Sequence, residues 1–324
     1  MKKILGIGNA LVDVIIFLKN DEVLQSFSLP RGSMQLVDAN TAILIEKATS
    51  DCKSHMSSGG SAANTIHGVA GLGLPAGFIG TVGRDGLGDF FREDMKKQGI
   101  TPLLTDSSSI TGSSRALVSP DGERTMATFL GAAFELSADL LHLDTFKGYD
   151  HLHIEGYLVL NHDLVEKALM YAVQSGMTVS LDLASYNVVE ANLGFLKRII
   201  PGSIQVVFAN KEEARAFTGE TDPHKALDAI ADLCETAVVK IGEKGSLISH
   251  KGKKYDIGVI PVKCLDTTGA GDLYAAGYLY GMAKEMPPQE CGKLGALLAG
   301  KVIEEAGAKI SAASWDYIRG LLGC

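Results

Sequence analysis

The segment Asp266-Thr267-Thr268-Gly269-Ala270-Gly271-Asp272 runs straight into the helical stretch LYAAGYLYGMA. Small residues permit a sharp turn in which successive backbone N–H groups face one point, and the helix behind adds the positive end of its dipole. Such a turn holds an anion. Asp272 falls in the first turn of that helix, with its carboxylate directed to the place where the donors converge. A base that takes a proton from an alcohol while amides stabilise a transferring phosphoryl group needs that pairing. The plainer reading makes Asp272 a favourable first-turn acid and the glycines a tight turn. A second motif, Gly59-Gly60-Ser61-Ala62-Ala63-Asn64, also opens a helix and places an amide side chain one turn in. Alone it reads as close helix packing, with Asn64 a capping or solvated side chain. Together the two weigh toward chemistry.

Other phosphate sites are excluded by their missing residues. Gly6-Ile7-Gly8-Asn9-Ala10-Leu11 has two of the three glycines of a dinucleotide fingerprint, with Leu11 in the third place and no acidic ribose ligand in context. No Gly-Lys-Ser or Gly-Lys-Thr occurs, so a Walker loop is absent.

The elements that must position these motifs follow from periodicity. Short β-branched and aliphatic runs alternate with longer segments of helical period, the pattern of a mainly parallel sheet covered by helices on both faces. Core strands are expected at Lys3 to Ile7, Ala76 to Thr81, His151 to Glu155, Thr178 to Asp182, Val206 to Ala209 and Ala237 to Ile241. Helices are expected at Ala62 to Leu72, Gly86 to Gln98, His162 to Ser175, Lys211 to Phe217 and Pro223 to Glu235, then Gly271 to Ala283 and Pro288 to Gly307, separated where proline ends the first. Two segments break the rhythm. Leu11 to Leu18 with Gly32 to Val37, and Gly112 to Val118 with Arg124 to Leu130, read as paired short strands around polar turns. They are expected to form a small β lid, spanning about 11–37 and 111–131, inserted in a single domain covering 1–324.

Composition narrows the partners. The 324 residues are 46% hydrophobic and 21% charged, enough to bury a substantial core. With 30 Lys+Arg against 38 Asp+Glu, the net charge of -8 offers no basic field for a nucleic acid. Asp13 interrupts the apolar N-terminal run, and no stretch reaches the length of a membrane span, so a cytoplasmic protein without a membrane partner is expected. Cys52, Cys234, Cys264, Cys291 and Cys324 are scattered, with no CxxC pair. His55, His67, His142, His151 and His153 show no metal-ligand spacing.

GGSAAN near the N-terminus and DTTGAGD near the C-terminus, in that order and spacing and with the split lid, resemble the two signatures of the ribokinase (PfkB) carbohydrate and nucleoside kinase family over essentially the whole chain. The resemblance implies a ribokinase-like α/β fold, ATP and Mg2+ as cofactors, and a small-molecule sugar or nucleoside as substrate. It admits a monovalent cation such as K+ and leaves monomer and homodimer open. Asp272 matches the catalytic base, and the backbone of Gly269, Ala270 and Gly271 matches the anion hole. Asn9 and Asp13, in GNALVD, with Gly59, Gly60 and Asn64, match the sugar contacts. Asn210 and Glu213, in NKEE, match a motif that organises Mg2+ and phosphates through water; by themselves they read as a helix cap with an acidic first turn. Gly242 and Gly245, with Lys240 and Thr267, match positions along the ATP phosphates, although many relatives have Thr where Lys240 stands.

Within the family, GNALVD, LPRGSMQLVD, GGSAAN and the strand ending in ERTM resemble the adenosine kinase branch. IEGYL places Tyr157 where adenosine kinases carry an aromatic that stacks on the base, the alternative being a core aromatic after a strand. Arg124, at the lid's edge, either folds over the γ-phosphate or is solvated. The resulting expectation is phosphorylation of adenosine to AMP. A sugar kinase acting on ribose or fructose, and a non-catalytic nucleotide sensor, are the alternatives.

Overall fold

The computed structural model describes residues 1–322. Its strands in chain order are β1 (Ile4–Ile7), β2 (Leu11–Phe17), β3 (Met34–Leu36), β4 (Lys53–Gly59), β5 (Ala76–Gly83), β6 (Ile100–Ser107) and β7 (Gly112–Val118). They continue with β8 (Arg124–Phe129), β9 (His151–Glu155), β10 (Thr178–Asp182), β11 (Val206–Asn210), β12 (Thr236–Lys240), β13 (Ser246–His250) and β14 (Lys253–Ile257).

Nine of them form one sheet in the order β14-β13-β12-β11-β10-β9-β1-β5-β6. From β12 to β6 every pairing is parallel, and β13 and β14 extend the sheet antiparallel. Alternation along each strand feeds two cores: Leu5, Ile7, Val207 and Ala209 face one layer of helices, while Ile4, Val206 and Phe208 face the other. All eight residues of β5 are buried, as expected of a central parallel strand covered on both sides.

The other five strands form a second sheet, β3-β8-β7-β2-β4. Its composition differs from the expectation in two ways. The expected hairpin of β2 with β3 does not form: β2 runs antiparallel to β4 and parallel to β7, and β3 lies parallel to β8. In addition, β4 lies outside the expected 11–37 and 111–131 and supplies the fifth strand. The pairing is nonlocal: β2 lies inside the small sheet with β7 on one edge and β4 on the other.

Strands β6, β13 and β14 were not expected at all. A last helix, Ala312–Leu322, was not expected, and the one expected to reach Gly307 runs Pro288–Val302. The chain turns there because the Ile303 carbonyl accepts from Leu265 N at 2.7 Å and Asp266 N at 3.2 Å. The helix expected to reach Glu235 stops at Ala231. Cys52, Cys234, Cys264 and Cys291 are unpaired thiols, and Cys324 lies outside the described residues. Among the described residues no helix is long and apolar enough to cross a membrane.

Candidate active site

Four adjacent parallel strands end on one cleft, and each delivers a polar side chain there: Glu155 from β9, Asp182 from β10, Asn210 from β11 and Lys240 from β12. The carboxyl end of a parallel sheet is where such folds gather ligand groups. The cleft measures about 1180 Å3 and is closed on the opposite side by residues of the small sheet, among them Asp13, Met34, Arg124 and Met126.

Two helices present their N-termini to this cleft. Helix Ser61–Gly71 starts after Gly60, whose φ of 100° and whose crowding against the Asn9 carbonyl leave room for no side chain. Helix Ala270–Ala283 is buried all round from Leu273 to Gly281. The two pack through small residues: a methyl added to Gly68 would lie 2.5 Å from Ala276 Cβ. That close approach joins the two motifs, which are far apart in sequence. Asn64 Nδ2 donates to Asp272 Oδ2 at 2.9 Å, Ser61 Oγ donates to Asp272 Oδ1 at 2.7 Å, and Thr65 Oγ1 donates to the Asp272 carbonyl at 3.2 Å.

Electrostatics follow from this crowding. Burial raises Asp272 to about 6, with Asn64 and Ser61 holding it down and Asp182 adding repulsion. Burial likewise raises Asp13 to about 6, opposed by Lys309 and assisted by Asp272. Asp13 sits against the backbone of Gly59. Glu155, raised by burial to about 7, accepts from Asn9 N at 3.0 Å, from the Asn9 side chain and from Ala62 N at 3.1 Å. It therefore ties the β1–β2 turn to the start of the first helix. Lys240 pairs with Asp182 at 2.8 Å; burial pulls its pKa down, but Asp182 and Glu213 outweigh that and hold it above the ordinary lysine value. Its ammonium lies 3.0 Å from where a Gly271 side chain would begin, beside the turn that opens helix Ala270–Ala283.

The other expected residues divide. Asn9, Asp13, Gly60, Asn64, Arg124, Tyr157, Asn210, Glu213, Lys240, Gly242, Gly271 and Asp272 all line the cleft. Tyr157 is 39% exposed on the wall, so it is no core aromatic. Of the three turn residues only Gly271 lines the cleft, and the Ala270 N–H donates to the Thr267 carbonyl at 3.2 Å. Thr267 is exposed and its neighbour Thr268 lines the cleft instead. Gly245 is away from the lining, and its glycine is required because the Ile257 carbonyl abuts it. Arg124 lines the cleft and pairs with Asp266, which also accepts from Gly307 N at 2.7 Å and Thr268 N at 3.1 Å.

Asn210 and Glu213 form a reciprocal capping box, with Asn210 N on Glu213 Oε2 at 2.7 Å and Glu213 N on Asn210 Oδ1 at 2.9 Å. Burial and Asp182 push the Glu213 carboxyl upward. Among the described residues no cluster of His, Cys, Asp or Glu makes a metal cage. The oxygen donors of Glu213 and Asn210 on the cleft fit a magnesium ion held mainly by water and phosphate, the usual mode for that ion.

Sequence reading missed Glu155, Asp182, Ser61 and Lys309. The first two end hydrophobic strands, HLHIE and TVSLD, which is itself a signal in a parallel sheet.

Comparison with known proteins agrees with this geometry. The pfkB family carbohydrate kinase description matches residues 36–315. A probable sugar kinase from Rhizobium etli CFN 42 superposes with a TM-score of 0.88 at 34% identity, covering 99% of this chain and 98% of the other. The adenosine kinase of Sinorhizobium meliloti superposes with a TM-score of 0.87, also at 34% identity, covering 99% of both chains. Adenosine kinase 2 of Arabidopsis thaliana is 25% identical over 332 residues, 94% of each chain. The chain belongs to the pfkB family of carbohydrate kinases, ribokinase-like in fold, and is a phosphotransferase that uses an alcohol group of a sugar or nucleoside as acceptor.

Proposed function

We propose that the enzyme transfers the γ-phosphoryl group of ATP to the 5′-hydroxyl of adenosine. The observation that carries this reading is the bond from Asn64 to Asp272, which puts a half-buried carboxylate at a helix N-terminus beside an acceptor pocket bounded by Asp13. Asp13, Asn9 and Asn64 grip the ribose. Asp272 accepts the proton of the 5′-hydroxyl as that oxygen forms its bond to the γ-phosphorus and the bond to the ADP oxygen breaks. The Gly271 amide and the Lys240 ammonium face the charge that develops on the phosphoryl oxygens. Asn210 and Glu213 would hold magnesium through water, and the ion would neutralise phosphate charge. The small sheet acts as a lid that keeps water from the activated phosphoryl group.

Two features support a nucleoside acceptor: the exposed ring of Tyr157 on the cleft wall and the similarity to the Sinorhizobium adenosine kinase. The equally similar Rhizobium sugar kinase supports a second reading, a free sugar as acceptor. A coupled ADP-release assay of the purified protein with adenosine, inosine, guanosine, ribose and fructose separates them. The proposal expects adenosine to have the highest kcat/KM. A preference for ribose or fructose replaces it with the second reading.

A further inference from the structure

A lysine outside every sequence motif lies behind the acceptor end of the cleft. Lys309 follows the turn at Gly307 and Ala308, and its ammonium donates to Asn64 Oδ1 at 3.0 Å. The other end of the same amide, Asn64 Nδ2, donates to Asp272 at 2.9 Å. An amide has one donating and one accepting end, and an ammonium only donates. With Lys309 on the oxygen, the N–H end must face Asp272. Without it, the flipped amide would set its oxygen against the carboxylate.

The charges around Lys309 come from four elements. Asp13 approaches from β2, Asp94 from helix Gly86–Lys97 and Asp272 from helix Ala270–Ala283. His67, on helix Ser61–Gly71, is driven well below its ordinary value by burial and by the Lys309 charge, so it remains neutral. Asp94 is itself fixed by Ser58, whose N–H donates at 3.1 Å and whose hydroxyl donates at 2.6 Å; His67 Nε2 lies 2.6 Å from that hydroxyl. Asp272 is also faced by Asp182 and Lys240, and its charge is felt at Glu155 and Glu213. Lys309 is thus the cation shared by three carboxylates on three different elements.

We infer that Lys309 is a positioning residue for phosphoryl transfer, holding the Asn64 amide in the orientation that presents its N–H to Asp272 and acting as counter-ion to Asp13. This rests on the reading of Asp272 as the base and Asp13 as the acceptor-gripping carboxylate. The electrostatics agree. Burial pulls Lys309 down to about 8 against the three carboxylates, and Lys309 in turn opposes the burial that raises Asp13. A lysine is charged below its pKa, so its support is present at neutral pH and disappears as pH rises through about 8.

The variants are Lys309→Met and Lys309→Arg, each checked for folding by thermal melting. Two readouts are independent: kcat/KM for the acceptor against pH, and the titration of the Asp13 and Asp272 carboxyl carbons by NMR, which needs no turnover. K309M is expected to lose about 10- to 100-fold in kcat/KM, the scale of a misplaced catalytic group, and to titrate Asp13 higher than the wild type. K309R, charged at every pH used, is expected to recover most of the activity and to lack the alkaline fall near 8 expected of the wild type. Superimposable Asp13 and Asp272 titrations in K309M and wild type overturn the inference. If K309M does not fold, the Lys309 side chain is followed in Asp13→Asn: a downward shift of its titration supports the inference, and an unmoved one overturns it. Shifted titrations without phosphorylation of any acceptor leave Lys309 in place and remove the transfer reading; transfer with unshifted titrations does the reverse.

Discussion

Replacing Gly59 with Ala tests the acceptor site through one added methyl. The backbone there has an ordinary φ, so the substitution strains no turn. The new Cβ would fall well inside 3.0 Å of three atoms of the Asp13 carboxyl group, closer than real side-chain carbons come. The backbone of β4 is held in the ladder with β2, at the register Leu11 to Gly59, so the carboxyl group must give way. Ordinary contact requires a retreat of about 1 Å, and displacement of that size in a substrate-positioning group costs on the order of 100-fold. The overpacking adds roughly 1 kcal/mol of destabilisation, toward the low end because the neighbour is a side-chain tip and not backbone. Steady-state kinetics with adenosine and ATP varied separately read the effect. The expectation is a fall of about 100-fold in kcat/KM for adenosine with KM for ATP nearly unchanged. Kinetics for adenosine indistinguishable from the wild type would show that Asp13 does not hold the acceptor, and equal losses for both substrates would mean the lid as a whole had moved.

Three further outcomes follow from the same geometry. Asp272, raised to about 6, must be deprotonated to act, so kcat/KM is expected to be full between about 6 and the Lys309 fall near 8 and to drop about tenfold per unit below about 6; a profile flat down to pH 5 would contradict the assignment. Lys240→Met leaves Asp182 buried without its cation and should cost about 3–5 kcal/mol by chemical denaturation, most of it returned in the double variant with Asp182→Leu but without return of activity. Tyr157→Ala should reduce the preference for adenosine over ribose by roughly 1–3 kcal/mol in kcat/KM ratio if the ring stacks on the base, and an unchanged ratio would show that the ring does not contact it.

The parts of the fold that were legible share a physical cause. Strands β1, β5 and β9 to β12 are buried along nearly their whole length and carry aliphatic residues at consecutive or alternate positions. Strand β4, KSHMSSG, is mostly exposed and almost free of β-branched residues, so nothing local marks it; its place comes from pairing with β2. Strand β6 contains Pro102, which demotes a run to non-strand or edge, and it is in fact the edge of the large sheet. The two glycine motifs were visible because each encodes a local backbone requirement. Lys309 encodes none: its importance arises only when the turn after Val302 carries it back to Asn64, 245 positions away in sequence. Arg124 was visible as a cation near the edge of the small sheet, but its partner Asp266 was not, because that contact exists only once the small sheet lies over the turn at 266–271.

The central claim is that Asp272 takes the proton of the acceptor hydroxyl. Single-turnover transfer of the γ-phosphoryl group from ATP to adenosine, compared in wild type and Asp272→Asn at saturating substrates, tests it most directly. The account predicts a loss of at least about 100-fold in the transfer rate, with ATP affinity changed only a few-fold. Transfer by the variant at a rate near that of the wild type would contradict it.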